Sequence, residues 1–414
     1  MSQPINFDRS LQRLQFIFHY CGLTFKSKKL TANQKLKLRC VYLFNFFCLN
    51  SDVLGGIYWF IDGIQTGKSF VQLTYISPCI TFSFLANLKA IFLIHNENHV
   101  SDLIDDLREL ERKDEIGNDN IENNEERVIK DNIRGKHVRF LHSVLKCSNV
   151  LSVLLILTFI VSPLILIALK YYQTKEVELI LPFLVIYPFD SHDIRYWPFV
   201  YLHQFWSVNV VLLNICAVDD LLYICCTYIA IQYRLLRYNI ENVIRTNRVL
   251  LDHELAEFQQ KCNQLIKLHQ ELIRLASMLE SIYAESNLFN FLSSSILICL
   301  TGFNVIEMEN VAFAVSFLVF LSSSLLQIYM LCFFGDFLMA SSMEVSDAVY
   351  NSKWYNLNAR TRKNLLIVQT RAQKPSKLTA LGFSDVNLKA FMSILSSAWS
   401  YFALLKTVYT HSGK

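Results

Sequence analysis

The stretch Cys147–Leu169, CSNVLSVLLILTFIVSPLILIAL, carries no charged side chain and decides the fold class of this chain. A helix needs roughly 20 predominantly apolar residues to cross the hydrocarbon core of a bilayer. Comparable apolar stretches recur along the chain. The sequence therefore predicts an all-α polytopic membrane protein with seven transmembrane helices, at residues 38–61, 70–94, 143–171, 197–218, 287–306, 311–340 and 386–409.

The composition agrees with a membrane bundle and disfavours a soluble protein. Of the 414 residues, 53% are hydrophobic and 18% are charged, whereas soluble domains average about 25% charged residues. The net charge of +4 is too small to indicate a nucleic-acid partner. The partner that the composition does indicate is the lipid bilayer.

The sequence lacks the signals of an enzyme, a cofactor site or a metal site. It has no P-loop, no GxSxG motif and no CxxC pair. His95 and His99 have the spacing of a zinc-binding helix, but they lack the HExxH order and lie at the end of a predicted membrane helix. We interpret them as interfacial polar residues and expect no enzymatic activity, no cofactor and no metal.

The positions of lysine and arginine orient the predicted bundle. Lysine and arginine are frequent in four segments, 1–39, 95–142, 233–286 and 341–385, and rare in the segments between them. For example, 62–69 contains only Lys68, and 307–310 contains neither residue. Cytoplasmic loops of membrane proteins are enriched in lysine and arginine. The segments 1–39, 95–142, 233–286 and 341–385, which are rich in lysine and arginine, are therefore predicted to be cytoplasmic. The N-terminus is then cytoplasmic, and the C-terminus, after seven spans, is extracellular.

Two features concern the regions beyond the membrane. Apolar residues spaced three and four apart over Leu250–Glu285 predict an amphipathic helix that extends the membrane helices into the cytoplasm. The apolar pattern of the fourth span likewise continues past Asp219 and Asp220. A helix from Trp197 reaches Asp219 after about 33 Å, so we expect the two aspartates at the membrane edge. A buried ion or proton site is the alternative.

The last span carries a stripe of mixed polarity. On a helix, Ser397, Tyr401, Leu404 and Val408 share one face, and Thr407 borders it. Small polar and aliphatic side chains in this arrangement suit a water-lined pore closed by a hydrophobic ring. Helix packing through serine and alanine fits the same pattern, so the spacing leaves both interpretations open.

The end of the chain resembles the insect odorant receptors. The resemblance spans roughly the last eighty residues. This chain departs from the family pattern at Trp399, where the family more often has tyrosine. The packing beside the predicted pore is therefore left open. The matching residues are Gly335-Asp336, Ala348-Val349-Tyr350, Trp354, Arg362-Lys363, Gln369–Pro375 (QTRAQKP), Phe383, Leu388–Phe391, Ser400-Tyr401-Phe402 and Leu404-Leu405.

The resemblance implies a ligand-gated, non-selective cation channel. Members of that family assemble as tetramers around one pore lined by the last helix, which places the gate at Leu404 and Val408 and a polar position at Thr407. The implied partners are a small volatile odorant, the permeating cations and a coreceptor subunit. With 414 residues and a modest second loop, the chain resembles the odour-tuning subunit rather than the coreceptor. The implied location is the plasma membrane of olfactory sensory neuron dendrites.

The resemblance also implies an odour pocket in the outer half of the bundle, between the second, third, fourth and sixth spans. We chose candidates on these spans by helical spacing and depth. His203 or Asn209 could donate a hydrogen bond to an ester, aldehyde or alcohol oxygen. The full set of candidates is Thr74, Tyr75, Pro78, Phe159, Ser162, His203, Trp206, Asn209, Phe313, Phe317 and Phe320.

These predictions divide the chain into six parts. The second holds the ligand-binding bundle and the cytoplasmic loop 95–142, and the fifth is a cytoplasmic anchor region formed by helical extensions. The last is the pore-lining helix with a short extracellular tail. In order, the parts are 1–37, 38–218, 219–286, 287–340, 341–385 and 386–414.

Three other classes of membrane protein are alternatives. A gustatory receptor channel of the same superfamily would share the fold and act without the odorant coreceptor. A G-protein-coupled receptor would have an external N-terminus, and the eleven cysteines here avoid every predicted external loop that could carry its disulfide. A transporter would often show an inverted repeat with broken helices, which the sequence does not display.

Overall fold

The computed structural model describes residues 6–26, 29–119, 124–243, 252–308 and 310–412. Those residues form helices almost throughout, with a 3₁₀ turn at Trp354–Asn356 and one isolated bridge between Thr379 and Asp385. The helices are α1 Asn6–Cys21, α2 Ala32–Gln65, α3 Phe70–His95, α4 Glu97–Asp119, α5 Asn124–Thr174, α6 Trp197–Val243, α7 Asp252–Glu307, α8 Val311–Asn351, α9 Ala359–Ala372 and α10 Leu388–Ser412.

Seven of these helices are long and apolar enough to cross a membrane: α2, α3, α5, α6, α7, α8 and α10. The prediction of a seven-span all-α bundle is confirmed. Several helices run well beyond the predicted spans. With 56 residues, α7 is about 84 Å long, against roughly 30 Å for the hydrocarbon core. The surplus length forms a helical layer at one end of the bundle.

The predicted amphipathic helix at Leu250–Glu285 is the first half of α7, continuous with the fifth span. Its first residues, Leu250 and Leu251, lie outside the described part of the chain. Leu272, Leu275 and Leu279 on its apolar face are buried. The spacing of three and four reflects packing against the helical layer, since these leucines belong to the main hydrophobic core.

Helix α6 is the central element of the molecule. In its apolar stretch nearly every residue is buried, because α3, α5, α7 and α8 surround it. The amphipathic helix α1 also packs against it, with the ring of Phe7 edge-on to Tyr228 at 4.9 Å between centroids. Two hydrophobic cores result. The larger joins α1, α4 and the second half of α6 to α7, α8 and α9. The smaller lies around the first half of α6.

The structure shows the surroundings of Asp219 and Asp220, while their depth at the membrane edge stays a prediction. Both aspartates are buried inside the bundle. Lys89 Nζ of α3 lies 2.5 Å from Asp219 Oδ1, and Gln327 Nε2 of α8 donates to Asp219 Oδ2 at 2.8 Å. Because burial of an isolated charge is very costly, the lysine within the second span compensates the aspartate of the fourth. The pair ties α3, α6 and α8 together.

The connection from α8 to α10 is held close to the bundle. A Cβ at Gly335 would lie 2.2 Å from the carbonyl oxygen of Val386, so α8 and this connection can approach only where residue 335 is glycine. Asn287 Nδ2 donates to the carbonyl of Thr379 at 3.3 Å, and Ser376 N donates to Ser342 Oγ at 3.0 Å. These contacts fix the start of the last helix relative to α7 and α8.

Candidate functional site

A small cavity of about 90 Å³ lies in the smaller core. Five helices and the segment between α5 and α6 line it. An apolar cavity of about 150 Å³ is known to hold benzene, so this cavity is smaller than one that holds benzene. Its lining consists of Leu49, Asp52, Val53, Ile76, Cys79, Ile80, Phe82, Ser83, Leu155, Phe159, Phe183, Val185, Ser207, Val208, Val211, Leu212 and Phe320.

Aromatic rings form one wall of the cavity and the layer behind it. Phe320 meets Phe82 at 5.0 Å and Phe159 at 6.0 Å between ring centroids, in both cases edge to face. Behind them, Phe317 contacts Tyr75 at 5.2 Å and Phe159 at 5.8 Å. Edge-to-face pairs of this kind stabilise a fixed ring arrangement by about 0.5–1.5 kcal/mol each. The wall is therefore preformed and apolar.

The segment 175–196 between α5 and α6, which we call the lid, closes the cavity. Its Phe183 stacks on Phe159 at 5.6 Å and belongs to the lining. Gln204 of α6 holds the backbone of Phe183 on both sides, accepting from its N–H at 3.1 Å and donating to its carbonyl at 3.2 Å. Tyr75 Oη donates to the carbonyl of Pro182 at 3.2 Å. The lid is thus hydrogen-bonded to two helices of the bundle.

Helix α2 meets the lid through a glycine. Ile186 N donates to the carbonyl of Gly55 at 3.3 Å. A Cβ at Gly55 would lie 2.5 Å from Val185 Cγ1 and 2.7 Å from the carbonyl oxygen of Ile186. Since real Cβ atoms do not come so close to backbone, only glycine at this position allows the lid to rest on α2.

The polar side of the cavity is a hydrogen-bonded cluster centred on Asp52. Tyr187 Oη of the lid donates to Asp52 Oδ1 at 2.6 Å, and His203 Nδ1 of α6 lies 3.1 Å from the same oxygen. Ser51 Oγ lies 3.2 Å from His203 Nε2. Burial, and then the neighbouring charge of Asp52, raise the pKa of Tyr187, so that its phenol stays protonated and donates.

The structure brings five of the predicted ligand-binding residues together. Phe159 and Phe320 line the cavity. Tyr75 and Phe317 form the layer behind them, where Phe313 packs edge-on to Tyr75 at 5.5 Å.

Three other predicted residues of the second and third spans lie elsewhere. Thr74 faces α7, where its Oγ1 donates to Asn304 Oδ1 at 3.0 Å and its carbonyl accepts from Asn304 Nδ2 at 2.9 Å. Pro78 is buried in α3 but does not line the cavity. Ser162 is buried in α5, and no described residue bonds to its Oγ.

The fourth span presents a different face from the one we chose. His203 belongs to the polar cluster around Asp52. Trp206 turns toward α1 and α2, since its Nε1 donates to Asn45 Oδ1 at 3.1 Å. Asn209 donates to the carbonyl of Phe205 within its own helix at 2.7 Å. The residues of α6 that line the cavity are Ser207, Val208, Val211 and Leu212.

The sequence could have indicated this face. Residues Ser207 and Val211, and Val208 and Leu212, are four apart and so fall on one side of a helix. We selected polar and aromatic residues instead, and a shift of one position turns a helix by about 100°. Phe183 and Val185 carry no such signal, because a lid without secondary structure has no periodicity.

The last helix has one packed face and one uncovered face. Ala390, Ile394 and Ala398 are buried. Tyr409 packs on Phe70 and Phe303 at 6.1 and 5.5 Å between centroids. The predicted stripe lies on the other side, where Ser397 is partly exposed, Thr407 is exposed, and the exposed fractions are 51% for Tyr401, 65% for Leu404 and 50% for Val408.

Metal and disulfide chemistry have no visible place in the site. Among the described residues, no group of three or more histidine, cysteine, aspartate or glutamate side chains could hold a metal ion. All eleven cysteines lie in the described part of the chain and are free thiols.

The fold and the site together define a class, a seven-span helical membrane protein with a phenylalanine-lined cavity beneath the lid. Residues 69–399 match the family model described as 7tm Odorant receptor. The chain belongs to this odorant receptor family.

Two relatives from Drosophila melanogaster cover most of the chain. Odorant receptor 67c is 27% identical over 389 residues, covering 90% of this chain and 89% of its own length. Odorant receptor 85c is 24% identical over 370 residues, covering 88% of this chain and 90% of its own length. The resemblance seen in the last eighty residues therefore extends over nearly the whole chain.

A solved structure shares the fold. The insect olfactory receptor OR5 from Machilis hrabei in complex with eugenol superposes with a TM-score of 0.76 at 17% sequence identity, and the match covers 97% of both chains. At this identity the likeness concerns the fold, including the long helices that extend the bundle.

Proposed function

We propose that this chain is the odour-binding subunit of a ligand-gated, non-selective cation channel. The observation that carries the proposal is the cavity in the smaller core, whose phenylalanine wall and lid suit a small apolar volatile. The structurally similar receptor OR5 was solved in complex with eugenol, which supports small-molecule binding by this fold. The cavity, with Phe159 and Phe320 on its wall, is the odorant site in this proposal.

The proposed orientation has the N-terminus in the cytoplasm and the C-terminus outside. The lysine and arginine distribution supports it. In this orientation the lid is extracellular, which gives a volatile a short route to the cavity. The helical layer formed by the surplus of α7, with α1, α4 and α9, is then cytoplasmic and anchors the spans.

The proposed pore is formed by the uncovered face of α10. One helix cannot enclose a pore, so several copies of this face must meet around an axis, as in a closed symmetric or pseudo-symmetric ring. Four subunits would bring Leu404 and Val408 into a hydrophobic gate, with Thr407 beside it and Ser397 and Tyr401 along the same wall. The exposure of this stripe in the single chain supports the proposal.

The proposed partner is a coreceptor subunit in a heterotetramer at the plasma membrane, on the dendrites of olfactory sensory neurons. The length of the chain and its modest second loop support the tuning role. Gating then requires that the odorant bind more tightly to the state in which the α10 helices stand apart. Entry of water between separated Leu404 and Val408 side chains would allow cations to pass.

The proposed function is tested by recording currents from oocytes that express this chain with and without an insect odorant coreceptor. Volatile esters, terpenes, aldehydes and alcohols are applied in turn. Reversible cation current that appears only with the coreceptor is the expected result. Current from this chain alone would instead indicate a self-sufficient channel of the gustatory type. Silence with both subunits shown at the surface would contradict the channel assignment.

A further inference from the structure

Asp52, a residue of the cavity lining, has one carboxylate oxygen without a hydrogen-bond donor among the described residues. Its Oδ1 accepts a hydrogen bond from Tyr187 Oη at 2.6 Å and lies 3.1 Å from His203 Nδ1. Its Oδ2 is buried, and no residue in the described ranges donates to it. A buried acceptor left without a donor is costly, so a donor supplied by a bound ligand would relieve that cost.

We infer that Asp52 Oδ2 is the specificity-determining acceptor of the odorant site and that the natural ligand is a volatile bearing a hydrogen-bond donor, an alcohol, a phenol or an amine. This inference rests on the proposed function and names its ligand class. Such a ligand places its O–H or N–H on Oδ2 and its hydrocarbon part against Phe159 and Phe320. Esters, ethers and aldehydes of the same size carry only acceptors, which the carboxylate repels.

The surroundings of Asp52 hold its side chain in one orientation. The phenol of Tyr187 and the imidazole of His203 converge on Oδ1. They fix the rotation of the side chain, so that Oδ2 cannot turn to the same partners. The rest of the lining is apolar apart from the thiol of Cys79 and the hydroxyls of Ser83 and Ser207.

The orientation of His203 changes the ligand chemistry that the sequence led us to expect. We expected His203 or Asn209 to donate a hydrogen bond to a ligand oxygen. In the structure His203 is engaged with Asp52 and Ser51, and Asn209 bonds within its own helix. The charged group that lines the cavity is therefore an acceptor, and donor-bearing ligands are selected.

The test compares volatiles that share a carbon skeleton and differ in one group. Oocytes expressing this chain with the coreceptor receive an alkyl or benzylic alcohol, its methyl ether and its aldehyde, each as a concentration series. We expect the alcohol to activate at a concentration about tenfold or more below that of the ether, because a hydrogen bond to a charged acceptor is among the stronger ones.

The Asp52→Asn variant sharpens the test. Tyr187 and His203 should hold the amide oxygen, which leaves the amide N–H donors to face the cavity. The preference should then reverse, with the aldehyde activating at lower concentration than the alcohol. Asp62→Asn is the matched control, because Asp62 lies on the same helix but pairs with Lys68 at 3.3 Å outside the cavity. It should leave the wild-type preference intact.

The outcomes separate this inference from the function beneath it. Robust currents with equal sensitivity to alcohol, ether and aldehyde would overturn the role of Asp52 and leave the odorant channel standing. Silence to every volatile, with both subunits at the surface, would overturn the channel and this inference together. If Asp52→Asn fails to reach the surface, the wild-type series still decides, since preference for the ether or aldehyde refutes the inference.

Discussion

At the scale of single residues, the cavity depends on a few large side chains. Phe320 is almost fully buried and contacts both Phe82 and Phe159. Its ring thus sets the shape of the wall against which an odorant would rest. Shape discriminates among the hydrocarbon parts of ligands, since one methylene group in a hydrophobic pocket is worth about 1–3 kcal/mol.

Replacement of Phe320 by alanine should enlarge the cavity and weaken activation by small volatiles by about tenfold or more, because the ligand loses a packed wall. Larger homologues of the same volatiles should lose less. Concentration–response curves with the coreceptor measure both effects. Phe84→Ala is the control, since Phe84 lies on α3 with 56% of its surface exposed. Equal losses in the two variants would contradict a role for the Phe320 ring in the site.

The ion pair of Lys89 and Asp219 is a second determinant at residue scale. The two side chains are 1% and 7% exposed, so neither charge is hydrated when its partner is missing. Lys89→Met or Asp219→Leu should each cost about 3–5 kcal/mol of stability. The double variant should recover much of that loss, because it removes both buried charges.

Thermal unfolding of the purified protein in detergent, together with surface expression, measures the cycle. Additive losses in the double variant would show that the two charges act independently. The sequence contained the signal for this pair, as Lys89 is the lone lysine or arginine of the second span, which has no acidic residue. The pattern of the fourth span alone cannot indicate the pair, because the cation lies on another span.

At the scale of elements, the lid is the part that the sequence described least well. Hydropathy alone predicted the seven spans, because a run of about twenty apolar residues is typical of a transmembrane helix. Helical spacing predicted part of the faces that α3, α5 and α8 turn toward the cavity. The correctly chosen residues are Tyr75, Phe159, Phe317 and Phe320. The position of the lid was not predicted, since it depends on hydrogen bonds to Gln204 and Tyr75 that no local pattern encodes.

Gly55→Val should push the lid off α2 and reduce sensitivity to odorants by about tenfold, because a side chain there meets Val185 and the carbonyl of Ile186. The test is a concentration–response curve at matched surface density. Gly135→Ala is the control, because a Cβ there has nothing within 4 Å, and alanine favours a helix over glycine by about 1 kcal/mol. A normal response of Gly55→Val would show that the lid does not close the site.

The docking of α1 should depend on pH through Glu111 of α4. Its carboxylate Oε2 accepts from Phe7 N at 3.1 Å, and the side chain is buried. Burial, and then the charge of Glu115, raise the pKa of Glu111 to about 8, with Asp114 adding to the rise and Phe7 N–H and Arg134 opposing it. An unfolded glutamate titrates near 4.3, so between these values the folded state binds more protons than the unfolded state.

The contribution of Glu111 to stability should therefore fall as pH rises from about 4.5 to about 8, and level off above that. Thermal unfolding across this range measures the slope. Glu111→Gln should remove that part of the slope, since glutamine cannot ionise. Glu109→Gln on the same helix should retain it, because the Glu109 side chain is half-exposed. An unchanged slope in Glu111→Gln would assign the pH dependence to another group.

At the scale of the whole molecule, the last helix has a face that no other described part of the chain covers. The stripe of α10 exposes Leu404, Tyr401 and Val408 there. On its other side α10 is anchored by α7, α8 and the connection at Gly335. Because one side of α10 is held and the other is uncovered, the helix could shift at the proposed gate without unfolding.

If the free face lines the pore, Leu404→Ala and Val408→Ala should each raise the current without odorant, because a wider and less apolar constriction fills with water more readily. The rise should exceed the control level several-fold and should grow when both changes are combined. Met392→Ala is the matched control, as Met392 is 63% exposed on the same helix but lies about 120° around it from Leu404. Currents are recorded with the coreceptor at equal surface density, and a large organic cation is applied to check that the leak passes through this pore.

Unaltered basal current in both variants would place the gate on another helix, and the exposed stripe would then be explained as packing between subunits.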